Sequence, residues 1–240
     1  MTDPRTKAEK EAGILSKTAQ GVCVDMYAQS LGRYQNFTNK YTDKGQQCED
    51  DSIMLLNDVN GLFVIKNDQN YSNEYLTGTP DGIDGGIVHD VKTNWSLETF
   101  MKLKIDGYGA GYEWQLRGYM ALTKCEQAQL HYCLVNATPE LIDKEKKRIA
   151  YQFGFDPGEQ THEYLALCRQ VERNMIFDMD EFQAKHGWYD LDSKDWHTSW
   201  NIPKDKRIVT YAFEQDTEAI EQVYKRVEQA NTFIENTLAL

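Results

Sequence analysis

The stretch YLTGTPDGIDGGIVHDVKTNW, residues 75–95, constrains the fold of this chain more than any other. Its Asp-Gly-Gly triplet at 84–86 is typical of a tight turn between two antiparallel strands. Side chains two apart on a strand project to the same face, so Asp90 and Lys92 should lie together. The turn should also bring Asp81 close to Asp90. The sequence therefore predicts a hairpin that gathers two carboxylates and an ammonium group.

Helical and strand patterns surround this hairpin along the chain. Helices are predicted at 8–31, 46–58, 111–123, 159–185 and 216–238, and another begins with Thr138 as its cap and Pro139 as its first residue. Strands are predicted at 61–66, 74–80, 87–93, 128–135 and 206–213. Residues 32–45 should form a polar connector, and the first helix should carry an apolar face with Ile14, Ala19, Val22, Met26 and Leu31. This order predicts an α/β fold, with a central mixed β-sheet flanked by helices and helical extensions at both termini.

The composition favours a single folded unit outside the membrane. At 240 residues with 40% apolar content, the chain can fill one large core. A polar start and the lack of a long apolar run predict a soluble intracellular protein. Five widely spaced cysteines without a CxxC pair argue against a disulfide framework, a zinc ribbon or an iron–sulfur site. The net charge of −12 argues against nonspecific coating of nucleic acid, although a local basic strip could still bind it.

The charged residues of the hairpin have two interpretations. Carboxylate oxygens are the ligands that Mg²⁺ and Mn²⁺ prefer, and a neighbouring lysine can orient a water molecule that attacks phosphorus. On this interpretation Asp81, Asp90 and Lys92 form a metal site that cuts phosphodiester bonds. An Asp-x-Lys triplet is also common on exposed strands, where its charges are only solvated. The hairpin alone leaves both interpretations open.

The helices before and after the hairpin carry further polar candidates. Glu49, in the first turn of its helix, could face the sheet and complete a metal site. An acidic first turn also suits the helix dipole, which is the simpler interpretation of Asp50 and Asp51. Gln115 and Tyr119 are four apart and share one helix face, although a half-buried amphipathic helix would explain both.

The order of these segments resembles that of one nuclease superfamily. An acidic helix, a TPDG hairpin, a DVK strand and a Q-x-x-x-Y helix follow each other as in PD-(D/E)xK nucleases. The segments KGQQCEDDSI, GTPDGI, HDVKTN and YEWQLRGYMALT are similar to those of the phage lambda exonuclease and YqaJ viral recombinase branch. The spacing from glutamine to tyrosine also resembles that of RecB-like nucleases. The resemblance covers residues 40–135.

The resemblance implies a role for each matching position. The metal ligands that it implies are Asp81, Asp90, Glu49 and the backbone carbonyl of Val91. The catalytic residues that it implies are Lys92, Asp81, Asp90, Glu49, Gln115 and, with a looser match, Tyr119.

Three cations are candidates for contact with DNA. Arg33 is a candidate counterpart of the family's arginine that holds a DNA 5′-phosphate. Lys102 and Lys104 follow the DVK strand, where they could track phosphates. The chain also departs from many relatives, because Thr93 and Asn94 replace a cysteine–proline pair after the lysine. This change should alter the loop rather than the chemistry.

The resemblance to this branch implies that the chain is a Mg²⁺- or Mn²⁺-dependent deoxyribonuclease. The favoured activity is 5′-to-3′ exonucleolytic hydrolysis of duplex DNA in phage recombination or repair, in the cytoplasm of a bacterial host. A restriction-endonuclease-like core at 40–135 is expected within one nuclease domain, residues 1–240, with 136–240 as an extension. Expected partners are DNA, further copies of the chain in a ring such as a trimer, and a single-strand annealing protein. The alternatives are a structure-specific or restriction-like endonuclease and a non-catalytic binding or assembly module.

Overall fold

The computed structural model describes residues 5–7, 9, 12–33, 39–187 and 189–238. Its helices are α1 (Lys17–Ser30), α2 (Lys40–Gln47), α3 (Glu49–Asn60), α4 (Leu97–Asp106), α5 (Ala110–Thr123), α6 (Pro139–Phe153), α7 (His162–Met175), α8 (Met179–His186) and α9 (Thr217–Phe233). Its strands are β1 (Tyr71–Ser72), β2 (Thr77–Gly78), β3 (Gly82–Asp84), β4 (Ile87–Thr93), β5 (Gln127–Cys133) and β6 (Ile208–Glu214). None of the helices in these ranges combines the length and the apolar character needed to cross a membrane.

The main sheet has the strand order β3-β4-β5-β6 and mixes both strand directions. β4 pairs antiparallel with β3 and parallel with β5, and β5 pairs antiparallel with β6. A parallel pair needs a crossover connection, which α4 and α5 supply between β4 and β5. β1 and β2 form a separate two-stranded hairpin. The expected α/β fold with a central mixed sheet is therefore confirmed.

Alternating side chains of β4 and β5 pack into a core on each face of the sheet. One core joins both strands to α4 and α5 through Val88, Leu130, Tyr132, Phe100, Leu116 and Met120. The other joins them to α3 through Val91, Cys133, Ile53, Leu55 and Leu56. Because β4 is packed on both faces, its polar side chains are held in fixed positions.

Most predicted elements around the hairpin are confirmed with small shifts at their ends. The predicted strands at 87–93, 128–135 and 206–213 correspond to β4, β5 and β6. The predicted helices at 46–58 and 111–123 correspond to α3 and α5. Thr138 caps α6 as expected, since its side chain accepts a hydrogen bond from the N–H of Leu141.

The predicted strand at 61–66 is wrong, and the one at 74–80 is reduced to the two residues of β2. The side-chain amide of Asn57 donates to the carbonyl oxygen of Val64 and accepts from its N–H, both at 2.9 Å. A side chain thus satisfies backbone groups that a neighbouring strand would otherwise pair. The apolar pattern of this segment indicated an extended chain but could not indicate its partner.

The first predicted helix is shorter than expected and buries a different face. Residues 8, 10 and 11 of the prediction lie outside the described residues, and α1 begins at Lys17 because Ser16 caps its first turn. α1 buries Ala19 and Cys23, which share a small core with Ala230 of α9. The other predicted apolar residues of this helix are exposed: Ile14, Val22, Met26 and Leu31.

Two further boundaries differ from prediction. The connector at 32–45 lies partly outside the described residues, and its described part contains most of α2. α2 starts because Asn39 and Thr42 form a capping box that satisfies free N–H groups. The predicted helix at 159–185 is two helices, α7 and α8, with Asp178 capping the second.

Lys44 of α2 is fully buried and holds the chain that leaves β4. Its ammonium group donates to the carbonyl oxygens of Asn94 at 2.8 Å and Trp95 at 3.1 Å. It also lies 5.0 Å from the ring centre of Phe177. Burial lowers the pKa of Lys44 from its ordinary 10.5 to about 8. A buried cation therefore ties α2 to the loop that follows β4.

We expect the wild-type protein to gain stability relative to the Lys44→Met variant as the pH rises. Between pH 8 and 10.5 the unfolded lysine keeps its proton while the folded one loses it, so the free energy of unfolding increases with pH. The gain is at most about 3 kcal/mol. Urea denaturation of both proteins across this range measures it. A difference that does not vary with pH would contradict the assignment.

Candidate active site

β3 and β4 form the predicted hairpin. Its two-residue turn consists of Gly85 and Gly86, whose φ angles of 56° and 80° are left-handed and suit glycine. The β3–β4 ladder ends one residue short of Asp81 and Asp90. These two residues therefore face each other across the open end of the hairpin, as predicted.

Asp81 is anchored by the backbone of the opposite strand. Its Oδ2 accepts a hydrogen bond from the N–H of Val91 at 2.6 Å. Burial, followed by repulsion from Asp90, raises the pKa of Asp81 to about 6. The next residue, Gly82, packs so closely that a Cβ there would lie 2.3 Å from Val64 Cγ1. Close backbone packing thus fixes the position of the Asp81 carboxylate.

Asp90 and Lys92 project together from β4. The Nζ atom of Lys92 lies 2.7 Å from Oδ2 of Asp90, whose side chain is 1% exposed. Within the described part of the chain, no well-aligned hydrogen bond reaches this oxygen. Burial raises the pKa of Asp90, although Lys92 opposes the shift. Burial disfavours the charge of Lys92, but attraction to Asp90 outweighs it and raises the pKa of Lys92, which is protonated at neutral pH.

α5 connects Gln115 and Tyr119 to the same carboxylate. The Nε2 atom of Gln115 donates to Tyr119 Oη at 2.7 Å and to Asp90 Oδ1 at 3.4 Å. Gly78 of β2 leaves room for the tyrosine, since a Cβ there would lie 2.6 Å from the ring of Tyr119. Burial raises the pKa of the Tyr119 hydroxyl, which keeps its proton. The structure thus brings both predicted residues to the hairpin, and their catalytic roles stay predictions.

Glu49 reaches the same region, but a lysine holds its carboxylate. The Nζ atom of Lys66 lies 2.8 Å from Glu49 Oε2 and 3.3 Å from Asp50 Oδ1. The charge of Glu49 nevertheless contributes to the raised pKa values of Asp81 and Asp90. Sequence reasoning missed Lys66, because its contact with Glu49 depends on the path of a segment predicted to be a strand.

The hairpin borders an open groove with a volume of about 480 Å³. Four predicted site residues line it: Glu49, Asp81, Val91 and Lys92. Four aromatic residues that sequence reasoning did not select also line it: Tyr41, Trp95, Tyr112 and Tyr132. The ring of Tyr112 lies below Lys92, with its centre 5.3 Å from Nζ. Single aromatic residues carry no functional signal in a sequence, so only the fold could place them here.

The candidate DNA contacts are not among the described residues that line the groove. Arg33 is exposed just beyond the end of α1. Lys102 on α4 pairs with Glu98 at 2.7 Å, and Lys104 lies 5.9 Å from the ring centre of Phe100. Contact between these cations and DNA stays a prediction.

Two carboxylates of the hairpin, Asp81 in the groove and Asp90 buried behind it, suit a small divalent cation. Burial and repulsion from neighbouring carboxylates, Asp90 and Glu49 for Asp81 and Glu49 for Asp90, disfavour both charges, and a bound cation would relieve these effects. Mg²⁺ is commonly held by one or two carboxylates together with water and phosphate oxygens. Among the described residues, no three His, Cys, Asp or Glu side chains are gathered into a metal site. Asp81, Asp90 and the Val91 carbonyl could hold a cation directly, and Glu49 could join after leaving Lys66.

No protein-family model or curated protein matches the chain, but solved structures of exonucleases share its fold. A phage-related exonuclease from Haemophilus somnus 129PT aligns with a TM-score of 0.69 and 27% identity, over 99% of this chain and 90% of that chain. An alkaline exonuclease from Laribacter hongkongensis aligns with a TM-score of 0.56 and 14% identity, over 95% of this chain and 86% of its own. The structure of LHK-Exo, this alkaline exonuclease, in complex with dAMP aligns with a TM-score of 0.54 and 13% identity, over 90% of this chain and 79% of that chain. The chain is therefore similar to these exonucleases over nearly its full length.

We expect Asp81→Asn to be more stable than the wild-type protein at pH 7 in the presence of a chelator. The raised pKa means that the folded protein binds a proton more tightly than the unfolded chain, so wild-type stability falls as the pH rises from 3.8 to about 6. The amide avoids this loss of about 1–3 kcal/mol and can still accept from Val91. Chemical denaturation across this pH range tests the sign. A variant less stable than the wild type at pH 7 would refute it.

Proposed function

We propose that the protein is a Mg²⁺- or Mn²⁺-dependent deoxyribonuclease that degrades duplex DNA from a 5′ end. The observation that carries this proposal is the convergence of Asp81, Asp90 and Lys92 beside one groove. The fold shared with solved exonucleases supports a nuclease but does not fix a function by itself. The chemistry of the three side chains is therefore the main support.

Each side chain of the site has a distinct task in this reaction. A divalent cation held by Asp81 and Asp90 would polarise the scissile phosphate and activate a water molecule. Lys92 is protonated, so it does not remove a proton; it orients the attacking water and stabilises negative charge on the phosphate. Gln115 keeps Asp90 oriented, and Tyr119 keeps Gln115 in place. In-line displacement then leaves a 5′-phosphate and a 3′-hydroxyl.

The acidic surface bears on how the protein meets DNA. With a net charge of −12, most of the surface repels a polyanion. We propose that several copies form a ring, such as a trimer, whose cationic inner surface tracks DNA while its acidic exterior does not. The motif resemblance supports this ring, the 5′-to-3′ polarity and a single-strand annealing protein as partner.

A cleavage assay tests the proposal directly. We expect linear duplex DNA to be degraded with Mg²⁺ or Mn²⁺ but not with chelator, and covalently closed circles to survive. Lys92→Ala should lower the rate on the order of 10²–10³-fold, because it removes a charged donor from the transition state. Lys206→Ala is the matched control, since this exposed lysine pairs with Asp205 and does not line the groove. Labelling each DNA end separately then gives the polarity.

Each alternative predicts a different result in the same assay. Cutting of closed circles that depends on metal and on Lys92 would indicate an endonuclease. Full activity in Lys92→Ala would refute the assignment of the site. No cleavage of any DNA, together with a melting temperature that does not respond to Mg²⁺ or Mn²⁺, would indicate a binding or assembly module.

A further inference from the structure

A second cavity opens beside the catalytic groove. Its volume is about 320 Å³, at the small end of the range for pockets that hold small molecules. It shares Tyr41, Trp95 and Thr99 with the groove, so the two spaces meet at these residues. We call this cavity the side pocket. The side pocket therefore adjoins the space that a substrate in the groove would occupy.

Two aromatic rings stand where the groove and the side pocket meet. The rings of Tyr41 and Trp95 lie edge to face, with centroids 5.7 Å apart and planes at 74°. Trp95 packs against the core, and the ammonium group of Lys40 lies 4.7 Å from its ring centre. Tyr41 is 56% exposed, so much of this residue is accessible to a ligand, and the ammonium group of Lys40 lies 5.4 Å from its ring centre. Exposed aromatic rings of this kind stack on the bases of single-stranded nucleic acid.

The polar groups of the side pocket favour a base over a phosphate. Glu98 and Glu145 both line it, and a carboxylate can accept hydrogen bonds from a base but receives none from an ionised phosphate. Lys40 at 3.2 Å and Arg148 at 2.8 Å hold the Glu145 carboxylate in place, where it can accept hydrogen bonds. The exposed amide of Asn174, which no other described group engages, can both donate and accept.

We propose that the side pocket is a nucleobase subsite. One base of the strand engaged in the groove stacks on Tyr41 and turns its edge toward Glu145 and Asn174. Apolar side chains cover the rest of the base: Ile149, Val171 and Met175. A carboxylate only accepts hydrogen bonds, so bases with an exocyclic amino group are held better than thymine. The subsite rests on the proposed nuclease function and specifies how the protein binds one base of the DNA beside the reacting phosphate.

Binding of DNA with a missing base tests the subsite. The probes are short duplexes in which each nucleotide near one end is replaced in turn by an abasic analogue. They are titrated with Lys92→Ala protein and Mg²⁺, because this variant should cut the DNA far more slowly than the binding measurement takes. We expect one abasic position to weaken binding about 10-fold, because the stacked base is lost. Adding Tyr41→Ala should abolish the difference at that position, whereas adding Tyr41→Phe should preserve it.

A matched control separates stacking from a general loss of an aromatic residue. Tyr151 on α6 is 91% exposed and does not line either cavity, so Tyr151→Ala should keep the discrimination. With an active protein, Tyr41→Ala should raise KM with little change in kcat, because the base contact is the same before and during the reaction.

The outcomes distinguish failure of the subsite from failure of the proposed function. The subsite is refuted if no abasic position weakens binding, or if Tyr41→Ala retains the discrimination, even when the protein cleaves DNA. If the protein does not cleave DNA but still binds intact DNA more tightly than abasic DNA, and this difference requires Tyr41, the subsite is supported. The nuclease assignment would then fail on its own.

Discussion

The hydrogen bond from the N–H of Val91 to the Asp81 carboxylate is the contact on which the site depends. The β3–β4 ladder ends before this point, so a side chain takes over from the backbone and satisfies an N–H that would otherwise be unpaired. The same contact places the Asp81 carboxylate across from Asp90 and above the strand that carries Lys92. One bond of 2.6 Å thus links the sheet, the groove and the charged cluster.

The charged cluster works against the stability of the folded protein. Burial works against the charge of both aspartates, repulsion from Asp90 adds to the effect on Asp81, and the charge of Glu49 adds to both. Two lysines partly neutralise the negative charge of the cluster: Lys92 pairs with Asp90, and Lys66 pairs with Glu49. Buried like charges are typical of sites where a cation or substrate completes the electrostatics. In the proposed reaction, a metal cation would bind the carboxylates, and a substrate phosphate would interact with the ammonium group of Lys92.

The sequence was sufficient to predict the hairpin and the central sheet because their signals are local. The Gly-Gly turn, the alternation along β4 and the cap of α6 each involve neighbouring residues. Several of the misses involve contacts beyond one turn or strand, such as Asn57 with Val64, seven residues on, or Glu49 with Lys66. The side pocket was beyond reach for the same reason, since its walls come from α2, α4, α6 and α7. Local pattern thus located the carboxylates, and tertiary packing determined what surrounds them.

The Gly85–Gly86 turn also limits how this protein can diverge. Strand side chains alternate between faces, so inserting or deleting one residue between the turn and Asp90 would shift β4 by one position. Asp90 and Lys92 would then enter the core beneath α3, and Val91 would point toward α5. The length of this segment should consequently resist insertions and deletions in descendants of this chain.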